Sequence, residues 1–229
     1  MLGVVEGLWR YPVKSTGGEP LDRVAVDARG LTGDRLWAVR DGDGKFGSGK
    51  NSRRFRRMPG LLDLRSRLVG DAVELLDPDG RLLTDQELRA YLGRDGVSVV
   101  REGAVSHFDE LPVSVVSTAT LEWFDQALPG TEVDERRFRP NVVVRTPPGT
   151  PPFVEDAWLG TRIAIGGVRL EVVRASERCV MVNEEQPGLP RSSAVLRKIA
   201  DAHDNKLGAL ATVVAAGEMA VGDEVTTCT

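Results

Sequence analysis

Apolar residues along this chain come in short runs of four to eight, many of them β-branched, each closed by glycine or an Asp-Gly type turn. Runs of that length and make-up predict strands rather than helices. Residues 4–11, 23–26 and 35–40 read this way, the last followed by the turn Asp41-Gly42-Asp43-Gly44. Residues 61–68, 72–76 and 97–101 follow, then 113–116, 141–145, 162–165, 168–173, 211–214 and 224–225. Helical periodicity is scarce and carries its own start and stop signals. Residues 84–92 open on Thr84 and end at Gly93, residues 121–128 follow Ser117-Thr118-Ala119-Thr120 and stop at Pro129-Gly130, and residues 192–203 place Val195, Leu196 and Ile199 on one face. Many closely spaced strands with few helices predict a mainly β chain of barrel type. No glycine-rich phosphate loop follows a strand, which argues against a nucleotide-binding βαβ unit.

Two glycine-containing turns around one short strand, between Leu92 and Asp109, predict a boundary. The expected division is a smaller β-barrel-like domain over residues 1–95 and a larger β-barrel domain over residues 105–229. The Pro-rich residues 146–152 are too few to separate domains and read as a rigid loop. With 30 basic against 34 acidic residues the net charge is −4, so no general nucleic-acid electrostatics is expected. The start of the chain lacks a basic segment followed by an apolar one, and no stretch of 18 apolar residues occurs. The expectation is a cytoplasmic protein without a membrane or nucleic-acid partner.

Cys179 is one of two cysteines, and the other, Cys228, lies one residue from the end, where a frayed tail is expected. Two thiols so far apart fit a reducing compartment and cannot make a zinc site. The neighbouring Arg174 and Arg178 would favour the thiolate, the form that attacks electrophiles and binds soft metals. Three readings stay open on these residues: a nucleophile, a single protein ligand to a cofactor's metal, or a small buried hydrophobe. Lys14 and Ser15 stand in a Gly-ended loop directly after a strand, a composition suited to an anion. Lys50, Arg53, Arg54, Arg56 and Arg57 form a basic run that is either a solvated face or a surface for an acidic or phosphate-bearing partner. In Phe138-Arg139-Pro140-Asn141 the proline should hold Arg139 extended, presenting a guanidinium and an amide at the mouth of a strand. His107 and His203 read as structural.

Six motifs recur in order: Tyr11-Pro12-Val13-Lys14-Ser15, Gly33-Asp34-Arg35-Leu36-Trp37, Phe138-Arg139-Pro140-Asn141, Phe153-Val154-Glu155-Asp156-Ala157-Trp158, Arg178-Cys179 and Val221-Gly222-Asp223-Glu224-Val225. This succession resembles the MOSC superfamily with its N-terminal β-barrel domain, a group that includes the mitochondrial amidoxime-reducing component and its bacterial relatives. The resemblance implies a molybdenum cofactor, molybdenum on a pterin (molybdopterin), with Cys179 as catalytic residue and metal ligand. It places Lys14, Ser15 and Arg35 on the cofactor from the small domain, and Asp109, Arg139, Asn141 and Arg178 from the large one. It further implies an oxidoreductase reducing small N-hydroxylated or N-oxide compounds. No Fe–S cysteine set or flavin motif is present, so a separate ferredoxin, flavoprotein or cytochrome b5-like protein would bring electrons. Glu184 or Glu185 is the expected proton relay. Against the family pattern, Asn183 to Gly188 replaces an Asp-Pro turn after the cysteine, and Leu210 stands where an aromatic is expected. The alternative is a non-catalytic carrier of the cofactor or of persulfide sulfur. A binding module docking its partner through the basic run is the other.

Overall fold

The computed structural model of the chain describes residues 1–228. Seven strands close a barrel: Gly3–Arg10, Val142–Arg145, Val113–Ser117, Lys206–Ala215, Val168–Glu177, Arg162–Ile165 and Glu224–Cys228, the last pairing back onto the first. Neighbours are antiparallel except Val113–Ser117 and Val142–Arg145, which run parallel. A parallel pair requires a crossover, and helix α2 (Thr118–Ala127) occupies it; helix α1 (Asp85–Leu92) precedes it in the chain and α3 (Ala194–His203) follows. Alternation along the strands sets both faces. Val113, Val115, Val142 and Val144 point into the barrel with Ile163, Leu170 and Ala211. Val116 and Val143 point outward, under Phe124 of α2 and Val195 and Ile199 of α3. Because helices cover the outer face, these strands read in sequence as unbroken apolar runs.

A second sheet is built from Trp37–Arg40, Ser98–Arg101, Phe46–Ser48, Phe55–Arg57 and the two-residue strand Val13–Lys14. Its core of Val13, Trp37, Val39, Met58, Leu61, Leu64 and Leu75 is closed by Leu88 of α1. The first 95 residues contribute to both of these sheets and to two smaller ones, the hairpin of Arg65–Val69 with Ala72–Leu76 and a three-stranded sheet of Arg23–Asp27, Gly30–Leu31 and Gly217–Ala220. Gly3–Arg10 pairs with Val142–Arg145 and Glu224–Cys228, and Arg23–Asp27 pairs with Gly217–Ala220. The chain therefore crosses between the large barrel and the small sheet near residues 11–18 and again near 32–36.

Expectation and structure differ at particular elements. Residues 61–68 are not one strand: Leu61–Asp63 form a 3-10 turn that buries Leu61 and Leu62, and the strand is Arg65–Val69. Cys228 is not in a frayed tail but ends a strand paired with Arg162. Val168–Glu177 and Lys206–Ala215 run to ten residues each, continuing past the apolar stretches that announce them. Among the described residues, no helix is long and apolar enough to cross a membrane.

Helix α1 shows how local chemistry fixes an end. The Thr84 hydroxyl accepts from the Glu87 amide, the Glu87 carboxylate accepts from the Thr84 amide, and Gly93 closes the other end with φ +58°. Such a reciprocal cap satisfies two amides that the first turn cannot pair. Thr84→Ala is expected to lower unfolding free energy by about 1 kcal/mol, read by chemical denaturation, with Thr84→Ser keeping most of the wild-type stability.

Candidate functional site

A cavity of about 360 Å³ lies where the mouth of the barrel meets the small sheet. All eight side chains singled out in the sequence line it: Lys14, Ser15 and Arg35 from the N-terminal segment, and Asp109, Arg139, Asn141, Arg178 and Cys179 from the barrel. Three of them take backbone conformations that non-glycine residues avoid: Ser15, Arg35 and Arg139 have φ of +64°, +49° and +53°. Each such residue costs roughly 1–3 kcal/mol and persists only where its surroundings enforce it. Arg139 departs from the expectation that Pro140 would hold it extended. Its amide bonds the Glu135 carbonyl, its carbonyl accepts from Arg35 Nη2 and Ser114 Oγ, and its guanidinium stacks on Tyr11, and these contacts hold it in the left-handed region.

Tyr11 carries two guanidinium groups, Arg139 at 4.2 Å and Arg35 at 4.7 Å from its ring. Burial pushes its phenol well above the ordinary range, so the neutral hydroxyl is kept and donates to the Pro140 carbonyl at 3.2 Å. Arg35 is paired with Asp34. Arg139 and Arg178 make no ion pair among the described residues, and burial lowers each to about 10. Arg178 Nη1 donates to the Phe138 carbonyl, while Nε and Nη2 donate to that of Leu207. Cations buried without an acid are costly unless a ligand supplies the anion. The donor set therefore fits a ligand bearing phosphate or other anionic groups.

Asn141 is fully buried and its amide is spoken for. Nδ2 donates to the Trp9 carbonyl, and Oδ1 accepts from the Ser114 amide and hydroxyl at 3.1 Å and from Arg35 at 3.4 Å. It thereby pins Arg35 and the strand ends. Lys14 Nζ donates to the His107 carbonyl at 2.8 Å and to Asp109 at 2.9 Å. Burial lowers its ammonium to about 8 despite Asp109, whose own carboxyl Lys14 helps hold below the usual range.

Cys179 ends the run Val168–Glu177, two residues past its last strand position, and opens the turn Val180–Asn183. Of the two expected arginines, Arg178 stays within Coulombic range of the thiol and Arg174 does not face it. Arg174 turns outward to Glu110, and Arg178 gives its donors to carbonyls. A further cation, unexpected from the sequence, reaches the thiol: Lys50, whose Nζ lies 3.8 Å from Sγ. Sequence reasoning placed Lys50 in the basic run but had no signal linking it to a cysteine 129 positions away. That run is not an open cationic face. Arg56 pairs with Asp41 and Asp43, Arg57 with Glu184, and Arg54 donates to the Ser106 carbonyl while packing on Phe46 and Phe55. Arg53 stays exposed. Neither Glu184 nor Glu185 lines the cavity, which removes them as relays at the thiol; Leu210 does line it. His107 is buried beside Phe46, and His203 bonds Asp156 outside the cavity, both as structural groups.

A thiol thus stands in a cation-rich cleft at the mouth of a closed β-barrel. The MOSC domain family model matches residues 101–226 and the MOSC N-terminal beta barrel domain model residues 2–127, each over half of the chain, and the chain belongs to the MOSC family. It is 27% identical over 227 residues to mitochondrial amidoxime reducing component 2 of Bos taurus and 24% identical over 233 to mitochondrial amidoxime-reducing component 1 of Homo sapiens, each match covering 79% of this chain and 66% of the relative. The chain thus spans about two thirds of the length of these curated relatives. Human molybdenum cofactor sulfurase is 22% identical over 262 residues, covering 89% of this chain and 29% of that protein. The crystal structure of the YuaD protein from Bacillus subtilis shares the fold, with TM-score 0.54 at 16% identity over 98% of this chain and 94% of that one.

Lys14 yields a pH test. Its folded ammonium loses its proton near 8, against an ordinary 10.5. Between those values the unfolded chain holds more protons, so stability from this group is fully present above 10.5 and lost as pH falls through 8. Thermal melts of wild type and Lys14→Met should therefore diverge in favour of wild type as pH rises through that window. A constant difference would show that the amine is not desolvated.

Proposed function

We propose that this protein is a molybdenum-cofactor-dependent reductase that converts N–OH to N–H with release of water, using two electrons from a separate donor protein and two protons. One observation carries the reading: the thiol of Cys179 and the unpaired buried guanidinium groups of Arg139 and Arg178 line a single cavity. The match to two amidoxime-reducing components supports the substrate class. When bound, the cofactor would supply a metal that changes by two electrons and takes up the substrate's oxygen. Cys179 Sγ is the soft ligand for that metal. Arg139 and Arg178 offset the cofactor's negative charge, and their rigid stacking and carbonyl bonds mean that little side-chain entropy is lost on binding. Lys14, Ser15 and Asp109 hold it from the opposite wall, and Arg35 is kept in place by Asp34 and Asn141. Leu210 and Met181 give the cavity apolar lining.

Protein made in a pterin-competent, molybdenum-replete host should contain about one molybdenum per chain, and Cys179→Ser should abolish amidoxime reduction while leaving the melting temperature within a few degrees. Wild-type turnover in that variant would overturn the ligand assignment. Cys228→Ser, outside the cavity, should match wild type. Arg139→Lys should weaken cofactor retention by roughly 1–3 kcal/mol, read as pterin per chain after dialysis, because a lysine supplies neither the fork nor the flat face that stacks on Tyr11.

A carrier function is the second reading, favoured by the match to molybdenum cofactor sulfurase. Molybdenum content without turnover of any N-hydroxylated substrate under chemical reduction, or a persulfide on Cys179 by mass spectrometry, would select it.

A further inference from the structure

Lys50 differs from the other cations of the cleft. Lys14 is paired with Asp109 and Arg35 with Asp34, and Arg178 gives all three guanidinium nitrogens to backbone carbonyls. Arg139 stacks on Tyr11, and the fully buried Arg137 donates to the Glu132 and Pro190 carbonyls. Lys50 forms no ion pair among the described residues; it contacts Cys179 Sγ at 3.8 Å and lies 5.0 Å over the Phe55 ring. It is half-exposed, and Asn51, Ser52 and Arg53 beyond it are exposed, so it stands at the rim of the cavity rather than its floor.

Its position is enforced from both sides of the cysteine's own loop. The Gly49 amide donates to Met181 Sδ at 3.2 Å, and Arg57 bridges the Gly49 carbonyl to Glu184. A Cβ on Gly49 would fall 2.7 Å from Met181 Sδ and 3.0 Å from Glu184 Cγ, so a side chain there would have to displace Met181 or Glu184. Of the acids lining the cavity, Asp109 is neutralised by Lys14 and Glu110 by Arg174, while six basic side chains line it against three acidic ones. An ammonium with uncommitted donors, fixed beside the thiol in a net positive cavity, is a receptor for an acid.

We infer that Lys50 is a substrate-binding residue that holds a carboxylate, giving the site a preference for small N-hydroxylated compounds that carry an acidic group. This inference rests on the reductase reading. A single charge-assisted hydrogen bond at a half-exposed rim is worth about tenfold in affinity, and salt weakens it.

The test uses the cofactor-loaded protein with benzamidoxime and 4-carboxybenzamidoxime under chemical reduction, with molybdenum per chain measured in parallel. Wild type should favour the carboxylated compound, and the ratio of the two kcat/KM values should fall about tenfold in Lys50→Met, be kept in Lys50→Arg, and fall in Gly49→Val, which pushes the loop off Met181. Calorimetric binding of the non-reducible 4-carboxybenzamide should weaken by a similar factor in Lys50→Met. A ratio within about twofold of wild type in Lys50→Met overturns the inference. So does a parallel loss of molybdenum and of both activities, which would assign Lys50 to holding the cofactor. If the protein reduces neither amidoxime, the reductase reading fails, while the calorimetric comparison still decides whether Lys50 receives a carboxylate.

Discussion

The buried amide of Asn141 ties the site together. It bonds the Trp9 carbonyl on the first strand, the Ser114 amide on a barrel strand and the Arg35 guanidinium at the crossing toward the small sheet. Asp34 adds a second tie by accepting from the Tyr11 amide while pairing with Arg35. Between them, two buried polar groups fix the ends of segments far apart in sequence. Buried polar networks of this kind are costly when incomplete and rigid when satisfied. Here satisfaction offsets the left-handed backbones of Arg35 and Arg139, whose guanidinium groups both lie over the Tyr11 ring. Strain and charge are thus concentrated in one place, and the barrel's apolar interior keeps that place from relaxing.

How much of this could be read from the residues depends on the range of the forces involved. Helices α1 and α2 are announced by Thr84 and Ser117 because capping acts over three residues. Val142 to Val144 are legible as a strand because three adjacent valines leave little else to form. Three of the shorter strands, Val13–Lys14, Phe46–Ser48 and Gly217–Ala220, were not foreseen. They carry no pattern long enough to show a period and exist only because a partner strand lies alongside. The same limit hides the pairing of Gly3–Arg10 with Val142–Arg145, so nothing in the first residues shows that their strand belongs to the large barrel.

The side chains of the site were legible by type, through the motif succession, while their local roles were not. Neither Asn141 as an anchor, nor Arg139 with φ +53° ahead of a proline, follows from propensity, because each depends on contacts with Ser114 and Arg35, more than 20 residues away. The basic run shows the reverse error. Its charges look available in sequence, yet Asp41, Asp43 and Glu184 take two of them once the chain folds.

Those pairings decide what the cleft presents to an incoming molecule. With Arg56 and Arg57 satisfied by acids and Arg54 by a carbonyl, the small sheet's loop brings one unpaired ammonium to the cavity, and it brings it to the sulfur. The barrel contributes the opposite arrangement, guanidinium groups whose charge no acid offsets but whose nitrogens are largely bonded to carbonyls. A guanidinium bonded to carbonyls is fixed in orientation and keeps its field; an ammonium resting on an aromatic face keeps its donors. The first suits a large ligand that must be held still through many events, and the second suits a small one that must come and go. That difference in chemistry, arising from two separate sheets, gives the deep end and the rim of a single cavity different work.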